Sequence, residues 1–288
     1  MLETVGTLCV LTISLALLAL LQYRRTEGYA EARWLATLIY LTPATMSALC
    51  WGALASYLPF AVFELLFRLV KSVCLLAFTA YLSRLVGKQP NSPLPEYSGN
   101  QAELALAKAD HVQPLPPFCC LRPLPLRNLE EVQVFTVQTC LGIGQFTVLS
   151  PLLLVTGLLL RYLPAQDLLL YGEASPAGAW LYICVGSTAS ALLAAYWVML
   201  LAQAIDRTPN CQGRNTQLQS IWVICVVMGT EVQKLVIALL TLGDITANTA
   251  DYPAAEISEI VTDILCCGEM LLAAATVFPL FPPISPQN

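Results

Sequence analysis

The sequence predicts an all-α integral membrane bundle of seven transmembrane helices, with the N-terminus outside and the C-terminus in the cytosol. Three observations carry this reading. Of 288 residues, 57% are apolar and only 11% are charged, whereas a water-soluble domain carries about 25% charged residues. Seven apolar stretches each reach the roughly 20 residues that a helix needs to cross the hydrocarbon core. The basic residues fall almost wholly on alternate sides of those stretches, the pattern that sets orientation in the bilayer.

The chain reads as one transmembrane domain over residues 1–288, with spans at 4–22, 34–57, 60–86, 132–163, 177–204, 218–242 and 254–280. The first stretch has the length of a signal-peptide core, but Glu3 precedes it and Tyr23-Arg24-Arg25 follows it. That polarity is reversed for a cleaved signal and correct for a helix that starts outside. Pro43 and Pro151 lie inside spans two and four. Each removes a backbone hydrogen bond and is expected to kink its helix. Tyr57-Leu58-Pro59 leaves room only for a tight turn, so spans two and three are expected to be antiparallel neighbours.

With the N-terminus outside, ten of the 14 basic residues lie in cytosolic segments and only Arg161 lies outside. Arg68, Lys71 and Lys234 remain within spans. The longest cytosolic segment, 87–131, is rich in proline and is expected to be irregular.

Composition also excludes several function classes. Lys and Arg form no dense stripe, which argues against nucleic acid as a partner. No Walker motif is present, so no ATP site is expected. Most of the 11 cysteines sit in apolar runs, where thiols act as small hydrophobes. No zinc-type spacing occurs and His111 is the one histidine, so no metal or cofactor is expected. Glu259 and Asp263 could be read as a carboxylate pair, but no further catalytic constellation accompanies them, and the chain is not expected to be an enzyme.

The ionisable groups inside the spans are the candidate site. Each is costly there, by roughly 2.5–3.5 kcal/mol on insertion scales. Glu64, Arg68 and Lys71 are spaced by four and three, which places them on one face of span three. Glu64 can pair with Arg68, which leaves Lys71 to another partner. Span six carries Glu231 and Lys234. Span seven carries Glu256, Glu259 and Asp263 on one stripe, with Glu269 deeper; the first two read as a solvated helix start. Lys234 and Asp263 both lie about nine residues from the external ends of their spans, roughly 13 Å deep. The expected cross-helix pair is therefore Lys234–Asp263, with Lys71 near the same level.

In the functional reading these groups line a polar cavity, where Arg68, Lys71 and Lys234 attract an anionic head group and apolar walls accept a flat hydrophobic body. The competing reading is that the charges pair among themselves and hold helices together. Cys119 and Cys120, adjacent in the cytosolic loop and close to Arg122 and Arg127, suit S-acylation, which would bring membrane lipid to that loop. Ser187, Ala191 and Ala195 recur every four residues, and Gly142 and Gly144 add a second small face. Such faces let helices approach closely, within the chain or against a partner.

Local motifs extend the reading. Span three opens near Phe63-Glu64 and ends in Leu85-Val86-Gly87-Lys88. A Pro-flanked cysteine cluster follows, Pro116-Pro117-Phe118-Cys119-Cys120, and then the basic stretch that leads into span four, Arg122 to Gln138. An acidic external loop, Tyr171-Gly172-Glu173, precedes span five. Span seven holds Cys267-Gly268-Glu269-Met270-Leu271. In layout and in these motifs the chain resembles the alpha subunit family of the organic solute transporter. It departs from that family in having two cysteines where a longer cluster is usual, and Lys71 where a tyrosine is usual.

The resemblance implies a subunit of a facilitative, bidirectional transporter of amphipathic organic anions, such as bile salts and conjugated steroids. It implies a single-span beta-type partner, with a homodimer left open, and lipid on the cysteine pair. The expected location is the plasma membrane as a multi-pass protein, with the endoplasmic reticulum membrane as a second site. The alternative to transport is a seven-span receptor-like or regulatory protein. Against a receptor stand the lack of an external cysteine pair and Leu82-Ser83-Arg84 at the end of span three.

Overall fold

A long apolar run can satisfy its backbone hydrogen bonds away from water only as a helix or a closed barrel. These runs lack the period-2 alternation of barrel strands and fold as helices. The computed structural model describes residues 2–26, 30–55, 60–87, 106–107, 109, 111–114, 124–162, 179–208, 215–242 and 254–281. The long helices are α1 (Leu2–Thr26), α2 (Ala30–Ala55), α3 (Phe60–Gly87), α4 (Leu129–Tyr162), α5 (Ala179–Asp206), α6 (Thr216–Leu242) and α7 (Ala254–Leu280). All seven are long and apolar enough to cross a membrane. The seven-helix, all-α expectation therefore holds.

The packing order is not the chain order. Helix α3 touches α2, α4, α5 and α6, while α7 closes against α1, α2 and α6. Of the seven spans, that of α3 is the most buried, and it brings its polar face to the middle of the bundle. The outward surface is apolar: Leu141 is 67% exposed, Val148 68% and Leu272 69%. In water such a surface would aggregate; in a bilayer it is wetted by acyl chains.

Several hydroxyls inside the spans find local partners. Thr12, Thr42, Ser72 and Thr79 each donate to the carbonyl four residues earlier, which removes an unsatisfied donor where no water is available. Helices α2 and α4 run through Pro43 and Pro151. Helices α4 and α5 meet where Gly142 faces Trp197. A methyl group at Gly142 would stand 1.9 Å from Trp197 Cδ1, so only glycine admits the indole there.

Where α3 ends, the bundle is plugged by aromatic residues. Phe281 lies edge-on to Trp222 at 5.4 Å and to Phe78 at 6.1 Å, with Tyr81 at 6.1 Å. The backbone around Phe281 is held as well. Tyr40 donates to its carbonyl at 2.7 Å, and Gln219 donates to the Leu280 carbonyl at 2.8 Å.

The segment read as irregular adds a small feature at this end. Strands β1 (His111–Val112) and β2 (Leu124–Pro125) pair antiparallel. Val112 and Leu126 beside them are fully buried, because apolar residues cap the open end of the bundle. Arg207 at the end of α5 donates to the His111 carbonyl at 2.5 Å.

A buried charge cluster at the candidate functional site

Glu64, Arg68 and Lys71 stand on one stripe of α3, as their spacing requires, and all three are buried. Arg68 Nε donates to Glu64 Oε1 at 2.9 Å within the helix. Its Nη1 crosses to α4 and donates to the Ser150 carbonyl at 2.7 Å and to Ser150 Oγ at 3.2 Å. It also reaches Ser187 Oγ on α5 at 3.3 Å. A planar guanidinium with five donors can serve three helices at once, which an ammonium could not.

Lys71 has 0% exposure and donates to Glu231 Oε1 of α6 at 2.6 Å. Its Nζ also stands 4.7 Å from the centre of the Phe67 ring. The other Glu231 oxygen accepts from Ser187 Oγ at 2.7 Å, and Thr188 Oγ1 donates to the Glu231 carbonyl at 3.1 Å. Both carboxylate oxygens are therefore bonded, the condition under which a fully buried carboxylate is tolerated.

Lys234 corrects one expectation. Depth along the helices pointed to Asp263 as its partner, but Lys234 Nζ instead donates to Glu64 Oε2 at 2.5 Å. Equal depth does not fix which way a side chain points around its helix. Packing turns Lys234 toward α3. Glu64 thus bridges Arg68 and Lys234, and the cluster joins α3, α4, α5 and α6. It holds three cations and two carboxylates, an excess of one positive charge.

Lys234 is its least buried member, with 20% of its side chain exposed. It borders a cavity with Glu64, Thr230, Thr262 and Asp263, walled on the apolar side by Leu49, Ala53, Phe63 and Phe67. The space open to the centre of a water molecule is about 10 Å³, enough for about one water and far too small for a steroid-sized solute. The bundle is closed around this site.

The remaining candidates are dispersed. Glu269 lies on α7 away from the cluster and accepts from Gln233 Nε2 of α6. The side chains of Glu256 and Glu259, and the whole of Cys119 and Cys120, lie outside the described residues. Among the described residues no group of metal-ligating side chains comes together.

Sequence reasoning missed the hydroxyls. Ser150 and Thr188 were passed over, and Ser187 was read only as a small packing residue. No signal in the sequence singled them out: Pro151 frees the carbonyl of Thr147, four residues earlier, and not that of Ser150.

Seven membrane-crossing helices around a mostly buried ionic cluster define a multi-pass membrane protein with a polar interior. Residues 2–286 match the family model of the organic solute transporter Ostalpha. The match covers almost the whole chain, and the protein belongs to that family. The family is one of membrane solute-transporter subunits, which speaks for a non-enzymatic task. No solved structure matches the chain.

Proposed function

We propose that the chain is the multi-span subunit of a facilitative, two-way transporter of amphipathic organic anions, of the bile-salt and conjugated-steroid class. It works with a single-span partner in the plasma membrane, its N-terminus outside, and the ion cluster lies in the outer half of the bilayer. The observation that carries this reading is Lys234, the least buried cation of the cluster, at the edge of an apolar-walled cavity.

Glu64 occupies Lys234 much as a bound anion would. When the bundle opens, the substrate's sulfate or carboxylate takes that place on the ammonium. Glu64 then keeps Arg68 as its counter-ion, so no carboxylate is stranded. Phe63, Phe67, Leu49 and Ala53 are suited to the hydrophobic body of the solute. Return of Glu64 to Lys234 releases the anion on whichever side is open, and the net direction follows the gradient.

Uptake of a labelled sulfated steroid into cells expressing the chain, with and without a single-span partner, tests the reading. Partner-dependent uptake that runs both ways and ignores ATP is expected. Lys234→Ala should lower it about tenfold or more, the worth of one charge-assisted hydrogen bond, and should spare a neutral steroid. Absence of uptake with both chains at the cell surface would overturn the proposal.

The complete pairing of all five charges favours a second reading, in which the cluster only fastens four helices together. That reading requires equal loss for charged and neutral solutes, in proportion to lost folding.

A further inference from the structure

We propose that Glu269 and Gln233 form a proton-binding site within the membrane-crossing part of the bundle, in which Glu269 holds a proton in the resting protein. Glu269 lies in the interior of α7 (Ala254–Leu280). At 1.5 Å per residue it stands about 22 Å from the start of the helix and about 16 Å from its end, inside a hydrocarbon core about 30 Å thick. Its position around α7 is as unusual as its depth. Leu265 and Leu272, one turn to either side, are 47% and 69% exposed, so the carboxyl stands at the lipid-facing seam between α6 and α7. Ionisable groups at this depth ordinarily face the bundle interior and meet an opposite charge.

Glu269 meets a neutral amide instead. Gln233 Nε2 donates to Glu269 Oε1. Glu269 Oε2 lies over Gly229, where an added methyl would stand 3.8 Å from it with nothing else in reach. The charged groups on the elements around α7 are engaged or distant in the fold. On α6, Glu231 binds Lys71 and Lys234 binds Glu64. On α2 the stretch Trp34–Ala55 contains no charged residue. On α1 the charged residues are Glu3 in the first turn and Arg24 and Arg25 in the last, both far along the helix from its middle. On α7 itself Asp263 faces the cavity beside Cys50.

A second observation points the same way. Gln233 Oε1 is buried and, among the described residues, has no hydrogen-bond donor. Gln203 Oε1 and Gln219 Oε1 share this condition, but Gln233 has a carboxyl beside it that could carry the donor. A proton on Glu269 supplies the missing donor. The terminal torsions of Glu and Gln are soft, so acid and amide can turn into a planar pair with two hydrogen bonds. Nε2–H then donates to the carboxyl C=O and the carboxyl O–H donates to Gln233 Oε1. The pair is neutral and fully bonded, which suits a seam exposed to acyl chains. The proton comes from bulk water on assembly, and no other reactant is needed.

The test is infrared spectroscopy of the full chain, purified and reconstituted in lipid bilayers in D₂O at neutral pH. A protonated-carboxyl C=O band is expected. Glu269→Gln, which preserves shape and pairing, should remove it. Gln233→Leu should leave the band but shift it upward by taking away one hydrogen bond. Should Glu269→Gln fold poorly, Glu269→Asp replaces it, with a shift of the same band as the expected result. A spectrum in which no protonated-carboxyl band responds to any of the three substitutions would overturn the proposal. It would mean that Glu269 is ionised and that its counter-charge comes from another helix. The reading is independent of transport, so failure of uptake would leave it standing.

Discussion

The two ends of helix α3 are held by different forces. In its first half Glu64, Arg68 and Lys71 tie it to α4, α5 and α6 through ion pairs and hydroxyls. In its second half Phe78 and Tyr81 pack against the Phe281 ring, and the Arg84 guanidinium stands 5.9 Å from the centre of the Trp34 ring. Ion pairs are discrete: a carboxylate on one lysine can move to another group and remain satisfied. An aromatic plug has no such exchange, because a displaced ring leaves a void or nothing. A change of partner at the first end strands no charge, whereas at the second a ring can move only together with its neighbours.

The comparison can be broken hardest at Lys71. Lys71→Met should strand Glu231 without a counter-ion and destabilise the bundle by about 3–5 kcal/mol, read as thermal unfolding in detergent. The double variant Lys71→Met with Glu231→Met should recover most of that loss. Little recovery would place the strength of this end outside the ion pair.

Phe281→Ala attacks the other end and should cost about 3 kcal/mol. That lies at the lower edge of the range for a buried phenylalanine, because lipid, unlike water, does not penalise apolar surface. The plug should then leak, seen as faster efflux of charged and neutral solutes alike. Glu64→Gln sharpens the contrast with a smaller effect. Lys234 loses its resident anion, so the apparent affinity for an anionic solute should rise several-fold, with little change for a neutral one. The smallest effect belongs to Trp222→Phe, which deletes the 3.0 Å bond from Nε1 to Thr276 Oγ1. It should cost about 1 kcal/mol and leave uptake unchanged.

The contrast also shows what could be read from the chain alone. The seven helices were legible because a bilayer permits no other solution for such apolar runs. The Glu64–Arg68 pair was legible because i, i+4 spacing within one helix needs no tertiary knowledge. The partners of Lys71 and Lys234 were not. Glu64, Glu231 and Asp263 all lie within reach in depth, and the choice among them is made by how α6 and α7 are rotated against α3. That rotation depends on contacts such as Phe281 against Trp222 and Phe78, which no single helix encodes. The role of Ser187 was hidden for a related reason: a serine on a face of small residues looks the same whether it packs or bonds.

The β1–β2 bridge places Val112 opposite Leu124, and only eleven residues, 113–123, run between them. A chain of that length pinned at both ends can carry its middle no farther than roughly 20 Å, at about 3.4 Å per residue. Cys119 and Cys120 fall near that middle. A group attached to them would stay within that reach of the bridge beside Arg207. An acyl chain there would explore a patch a few lipids wide instead of the whole underside of the protein, and its local concentration at the end of α5 would be set by the length of the tether.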